Sequence, residues 1–146
     1  MIFAGSNRHA DMVTRVLVVD DDLEIGLMMR RIFESRGVSV STAPNGREAL
    51  RIAERDRPDV IFLDIMMPGM DGVGVLAELR RRPELDATRV IMLTARGEPK
   101  DGKEADRIGA DGYITKPFKN VDIVRKLAHF TMQRRRSRPA AKAPAR

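Results

Sequence analysis

Three observations predict an α/β fold, a parallel sheet covered by helices on both faces, for this chain. Five short β-rich runs alternate with five segments of helical period. The runs are apolar without the polar–apolar alternation of a half-exposed strand, as expected where both faces are buried. Gly, Pro and Asn fall between runs and helices, at the places where turns and caps require them.

Arg15–Val19 is the first such run. The segment Asp22–Arg36 follows, with Ile25, Met28, Met29 and Ile32 at helical spacing and Gly37 placed as a C-terminal stop. Val38–Thr42 reads as the second strand; Pro44-Asn45-Gly46 then turns the chain, and Asn45 is placed to cap a helix to about Arg55. Asp59–Leu63 is a buried strand, followed by the loop Pro68-Gly69-Met70-Asp71-Gly72 and a helix near Val73–Arg81. Arg89–Leu93 is the fourth strand and Gly112–Thr115 the fifth, with a last helix from about Asn120 to Gln133.

The segment between strands four and five is unusually polar. A helix over Glu98–Ile108 tolerates Pro99 only in its first turn, carries Gly102 inside, and lacks apolar anchors until Ala105 and Ile108. Two readings follow: a short or labile helix that orders on activation or partner binding, or an ordinary helix with one exposed face.

Composition narrows the function classes. At 146 residues the chain has room for one ordinary domain, read as residues 14–131 between an N-terminal extension (1–13) and a basic tail (132–146) expected to be disordered. With 42% hydrophobic but only 4% aromatic residues, the core must be aliphatic. The lack of cysteine excludes disulfides, thiolate metal sites and thiol catalysis. No apolar run approaches the roughly 20 residues of a membrane span, and Met1–Met12 lacks the apolar stretch of a signal peptide, so a cytoplasmic protein is expected. The net charge of +6 belongs to the tail: residues 134–146 carry six basic residues and no acid, leaving 1–133 balanced.

In an open parallel sheet the functional crevice lies beyond the carboxyl ends of the strands. The first strand delivers Asp20-Asp21-Asp22 there, the third Asp64, the fourth Thr94 and the fifth Lys116, followed by Pro117. Asp22 reads as a helix cap rather than a ligand. Taken singly, Asp20 and Asp21 are either loop acids or ligands, Thr94 a turn residue and Lys116 a surface lysine. Topology makes these strand ends converge, and that joint placement is the signal. Carboxylates gathered at one edge repel and call for a hard divalent cation; Mg²⁺ suits a few carboxylates with open water positions. With a lysine and a hydroxyl added, such a set has most of what phosphoryl transfer needs. Asp64, alone at the end of the central strand, is the candidate nucleophile for an aspartyl phosphate.

The segments Val16-Leu-Val-Val-Asp-Asp-Asp22, Leu63-Asp-Ile-Met-Met-Pro-Gly-Met-Asp-Gly72, Leu93-Thr-Ala95 and Gly109-Ala-Asp-Gly-Tyr-Ile-Thr-Lys-Pro-Phe118 closely resemble the receiver (response-regulator) family of two-component signalling, over roughly residues 14–131. The resemblance implies a flavodoxin-like (βα)5 three-layer sandwich with strand order 2-1-3-4-5. By position, Asp64 matches the phosphoacceptor, and Asp20 and Asp21 the acidic pair, Asp21 binding Mg²⁺ directly and Asp20 mainly through water. Met66 matches the position whose backbone carbonyl is a metal ligand. Thr94 and Lys116 match the phosphoryl-contacting pair, Lys116-Pro117 the family's cis step, and Tyr113 the switch aromatic, which is otherwise an ordinary half-buried strand residue. Met66 and Arg96 match positions that influence phosphoryl lifetime; Arg96 either folds over the site or is solvated.

The function implied is a stand-alone switch. It takes a phosphoryl group on Asp64 from a histidine kinase or histidine phosphotransfer protein and alters a protein-binding surface. It catalyses only its own phosphorylation and dephosphorylation. Alternatively, the chain is the receiver fragment of a longer regulator whose output domain is missing. An Asp-dependent phosphatase also uses a strand-end Asp and Mg²⁺, but usually needs a second acid two residues on, where this sequence has Met66. The basic tail reads as a solubilising run that suits a helix C-terminus, as a linker, or as a salt-sensitive, sequence-blind contact to nucleic acid; no other nucleic-acid binding is expected.

Overall fold

The computed structural model describes residues 13–95 and 99–132. Residues 1–12 and 133–146, where most of the expected N-terminal extension and basic tail fall, lie outside the described residues, as does Arg96.

Strands β1 (Arg15–Val19), β2 (Ser39–Ala43), β3 (Val60–Asp64), β4 (Arg89–Ala95) and β5 (Gly112–Lys116) form one parallel sheet of order β2-β1-β3-β4-β5. Helices α1 (Leu23–Glu34), α2 (Gly46–Asp56), α3 (Gly72–Arg80), α4 (Pro99–Ile108) and α5 (Asn120–Thr131) fill the crossovers. The expected three-layer α/β sandwich and its strand order are those observed.

Successive strand residues serve opposite faces, which is why the strands lack polar alternation. Leu17, Val19, Ile61, Leu63 and Met92 pack beneath α2, α3 and α4, with Ala49, Ile52, Leu76, Leu79 and Ala105. Val16, Val18, Phe62, Ile91 and Ile114 pack against Met29 and Phe33 of α1 and Ile123, Leu127 and Phe130 of α5. Phe33 and Phe62 meet with ring centroids 5.3 Å apart, so two of the few aromatics join α1 to the central strand.

Helix starts follow local chemistry. Asp22 accepts from the Glu24 amide at 3.0 Å, Asn45 from the Glu48 amide at 2.9 Å, and Asp71 from the Gly74 amide at 2.9 Å. Gly37, with φ 81°, reverses the chain after α1 in the left-handed region that glycine enters without strain.

The structure differs from the sequence expectation mainly at the ends of elements. β3, β4 and β5 run on to Asp64, Ala95 and Lys116, because ladder hydrogen bonding does not require an apolar side chain and Asp64 still pairs with Leu93. A 3-10 turn at Pro83–Leu85, unmarked by periodicity, drops Leu85 into the core at 1% exposure. Below the sheet, Arg80 ties α3 to the segment before β5, donating to Gly109 O at 3.1 Å and to Asp111 Oδ2 at 3.0 Å.

α4 is a ten-residue helix with Pro99 as its first residue. Among its described side chains Ala105 is buried and Ile108 partly so, whereas Lys103, Asp106 and Arg107 are exposed. With so few apolar anchors, its amides are expected to exchange with deuterium faster than those of α1, which buries Met29 and Phe33 completely. Protection of α4 equal to that of α1, measured by exchange mass spectrometry, would contradict this.

Candidate functional site

Register brings the polar strand ends together. In the β1–β3 pair Val19 faces Leu63, so the next residues, Asp20 and Asp64, emerge side by side. In the β3–β4 pair Asp64 faces Leu93, which puts Thr94 one residue further along the neighbouring strand. Lys116 ends β5 opposite Ala95, and its long side chain reaches back past the end of β4.

Asp20 and Asp64 are both buried, at 3% and 5% exposure, while Asp21 is exposed. Each of the three offers a carboxylate oxygen, and these oxygens all lie within 4.8 Å of one another. Lys116 Nζ is 2.9 Å from Asp20 Oδ2 and 3.4 Å from Asp64 Oδ2, so its shorter contact is with Asp20 rather than the candidate nucleophile. Backbone amides hold the remaining oxygens: Asp22 N donates to Asp20 Oδ1 at 2.9 Å, and Met66 N to Asp64 Oδ1 at 3.2 Å.

The electrostatics follow from this crowding. Burial, then the charge of Asp20, pushes the Asp64 carboxyl up to about 7, against the opposing pull of Lys116 and the Met66 amide. Burial alone would lower the Lys116 ammonium, but its hydrogen bond to Asp20 and the charges of Asp20 and Asp64 outweigh that and hold it above its ordinary value. Among the described residues three carboxylates face one ammonium here, and three closely set oxygens fit a hard divalent cation.

The loop after β3 closes tightly against the end of that strand. Gly72 N donates to Ile65 O at 2.9 Å, and Ile65 N donates to Leu93 O at 3.1 Å. A Cβ on Gly72 would lie 2.1 Å from the Asp64 carbonyl oxygen, so only glycine permits α3 to start this close to the strand that carries Asp64. Met66 leaves this loop with its side chain 55% exposed at the rim.

Thr94 is buried at the end of β4, and its hydroxyl donates to Thr115 Oγ1 across the β4–β5 pair at 3.5 Å. Tyr113 lies two residues before Thr115 on the same face of β5, half-buried, with its hydroxyl donating to Asp106 of α4 at 3.4 Å. Burial and then the charge of Asp106 push the Tyr113 phenol up to about 12. The Lys116–Pro117 peptide is cis. Asp22 caps α1, as its place in the sequence suggested.

The structure therefore assembles Asp20, Asp21, Asp64 and Lys116, and sets Thr94 beside them on the adjoining strand end. Sequence reasoning missed Gly72 and Thr115 as residues that shape the site. The glycine was visible as a turn residue, but its approach to Asp64 O depends on how α3 packs; Thr115 carries no local signal, because its contact with Thr94 is one of register.

Comparison with known proteins places this geometry among others. The family model for the response regulator receiver domain matches residues 16–128. The phosphate regulon transcriptional regulatory protein PhoB of Rhizobium meliloti is 36% identical over 129 residues, a match covering 88% of this chain and 55% of that protein. An uncharacterized 14.6 kDa protein of Leptolyngbya boryana is 34% identical over 117 residues, covering 80% of this chain and 89% of its own. The solved structure of the Vibrio cholerae chemotaxis protein CheY4 superposes with a TM-score of 0.77 at 34% identity, over 81% of this chain and 98% of that one. The chain spans about half the length of the curated transcriptional regulators it matches. Among the described residues, no helix is long and apolar enough to cross a membrane.

Proposed function

The chain belongs to the response regulator receiver domain family of two-component signalling, and from that premise we propose that it takes a phosphoryl group on Asp64 and uses the resulting change to switch a protein-binding surface. The observation that carries this reading is the meeting of Asp20, Asp21 and Asp64, with one oxygen each within 4.8 Å, beneath a lysine from the fifth strand. In this reading an Asp64 carboxylate oxygen attacks the phosphorus of the donor, an O–P bond forms, and the donor's bond to phosphorus breaks. A phosphohistidine of a kinase or phosphotransfer protein is the donor, leaving with its imidazole restored. Asp20, Asp21, Asp64 and the Met66 backbone carbonyl would hold Mg²⁺, which would supply positive charge for the incoming phosphoryl oxygens. Lys116 holds a fixed positive charge against the same oxygens, and Thr94 turns its hydroxyl toward them. Tyr113, on the same face of the sheet, transmits the change toward α4. Water later hydrolyses the acyl phosphate and resets the switch. The rim side chain of Met66 and Arg96 bear on how soon that happens. The chemistry is confined to the chain's own aspartate and involves no turnover of an external substrate.

Exposure to Mg²⁺ and a small phosphodonor such as phosphoramidate, followed by intact mass and peptide mapping, tests this. One phosphoryl group on the peptide containing Asp64 is expected; labelling elsewhere, or continuous turnover of a phosphate monoester, would overturn it.

One observation favours a second setting for the same switch. The relatives named as transcriptional regulators are matched over about half their length. In that setting the receiver unit controls an output domain on a longer chain.

A further inference from the structure

We infer that Thr115 is a positioning residue for the switch, accepting the Thr94 proton in the unphosphorylated protein and so holding back the donor that an Asp64 phosphoryl group requires. The inference rests on the function proposed above. Thr94 is buried and faces Thr115 directly in the β4–β5 ladder, with its hydroxyl donating across 3.5 Å. A hydroxyl has one proton. While Thr94 gives it to Thr115, it does not give it to an oxygen on the Asp64 side, so phosphoryl binding breaks the first contact to make the second. Thr115 is itself exposed, and the contact is long, so the hold is weak and readily released. A weak brake of this kind sets the resting population of the Thr94 rotamer and thereby the apparent affinity for phosphoryl groups.

Removing the acceptor should release the brake. Thr115→Val keeps the side-chain shape and the β-branch that an edge strand favours, and replaces the hydroxyl with a methyl that accepts no hydrogen bond. Thr115→Ser restores the oxygen without the methyl. The probe is beryllium fluoride with Mg²⁺, a phosphoryl mimic for aspartates, titrated against the fluorescence of Tyr113, the only tyrosine in a chain without tryptophan. Half-saturation for Thr115→Val is expected at roughly two- to fivefold lower concentration than for the wild type, and for Thr115→Ser close to the wild type. A melting temperature unchanged in both variants shows that the shift is not a folding effect. Equal or weaker affinity in Thr115→Val, with the wild type responding normally, overturns the inference alone. A wild type that neither responds to the mimic nor accepts a phosphoryl group on Asp64 overturns the function beneath it and the inference with it.

Discussion

Asp64→Asn is expected to abolish phosphoryl uptake and, at the same time, to stabilise the cation-free protein at neutral and higher pH. The amide is no nucleophile toward phosphorus, so the first effect tests the chemistry directly. The second follows from crowding. Asp64 is buried beside Asp20, and its carboxyl stands near 7, far above the unfolded value of 3.8. An acid raised in the folded state contributes stability that is fully present below the unfolded value and is lost as the pH rises through the folded one. Between about pH 4 and 7 the wild type should therefore lose stability relative to Asp64→Asn. Because the site relaxes as Asp64 ionises, the penalty is softened and the gain at pH 8 is expected to be about 1–2 kcal/mol. Urea denaturation of both proteins in chelator, at pH 4.5 and pH 8, measures it; a difference that does not grow with pH would contradict the argument. Added Mg²⁺ should reverse the order by stabilising the wild type through binding, with less effect on the variant, which lacks one of the three clustered carboxylates.

Gly72→Ala is expected to cost about 3 kcal/mol or more and to lower the melting temperature on the order of 10 °C. The added methyl would stand 2.1 Å from Asp64 O, 2.7 Å from Ile65 Cα and 2.8 Å from Asp64 C. All three are backbone atoms, so no rotamer change relieves the clash; either α3 lifts off the sheet or the end of β3 shifts. Either response moves Asp64 relative to Asp20 and Lys116, so the surviving folded fraction should also bind Mg²⁺ more weakly. Gly74→Ala is the control on the same helix. Its methyl would meet only the Met70 and Asp71 side chains, at 3.3 and 3.4 Å, and alanine gains helix propensity, so the melting temperature should change little. Equal melting temperatures for the two variants would show that the close approach at Gly72 is not a constraint.

Much of the molecule was legible from local features. The strands announced themselves as β-rich runs such as Val16–Val19 and Ile61–Leu63, because burial on both faces leaves no place for polar alternation. Asp22 and Asn45 were legible as caps because capping depends on a side chain and an amide two or three residues away. The polar residues at strand ends were visible as soon as the strands were placed. The 3-10 turn at Pro83–Leu85 was not, since three residues carry no period to read.

By itself, the sequence determined the alternation of strands and helices, the aliphatic core and the residues offered at the sheet's carboxyl edge. These depend on side-chain period and turn chemistry within a few residues, interactions the chain makes with its own neighbourhood. Only the tertiary structure decided which offered residues meet: Lys116 2.9 Å from Asp20 and 3.4 Å from Asp64, Thr94 against Thr115, and Gly72 against the backbone of Asp64. Those contacts are fixed by strand order, register and helix docking, which join residues as far apart in sequence as Asp20 and Lys116, and no local pattern carries that information.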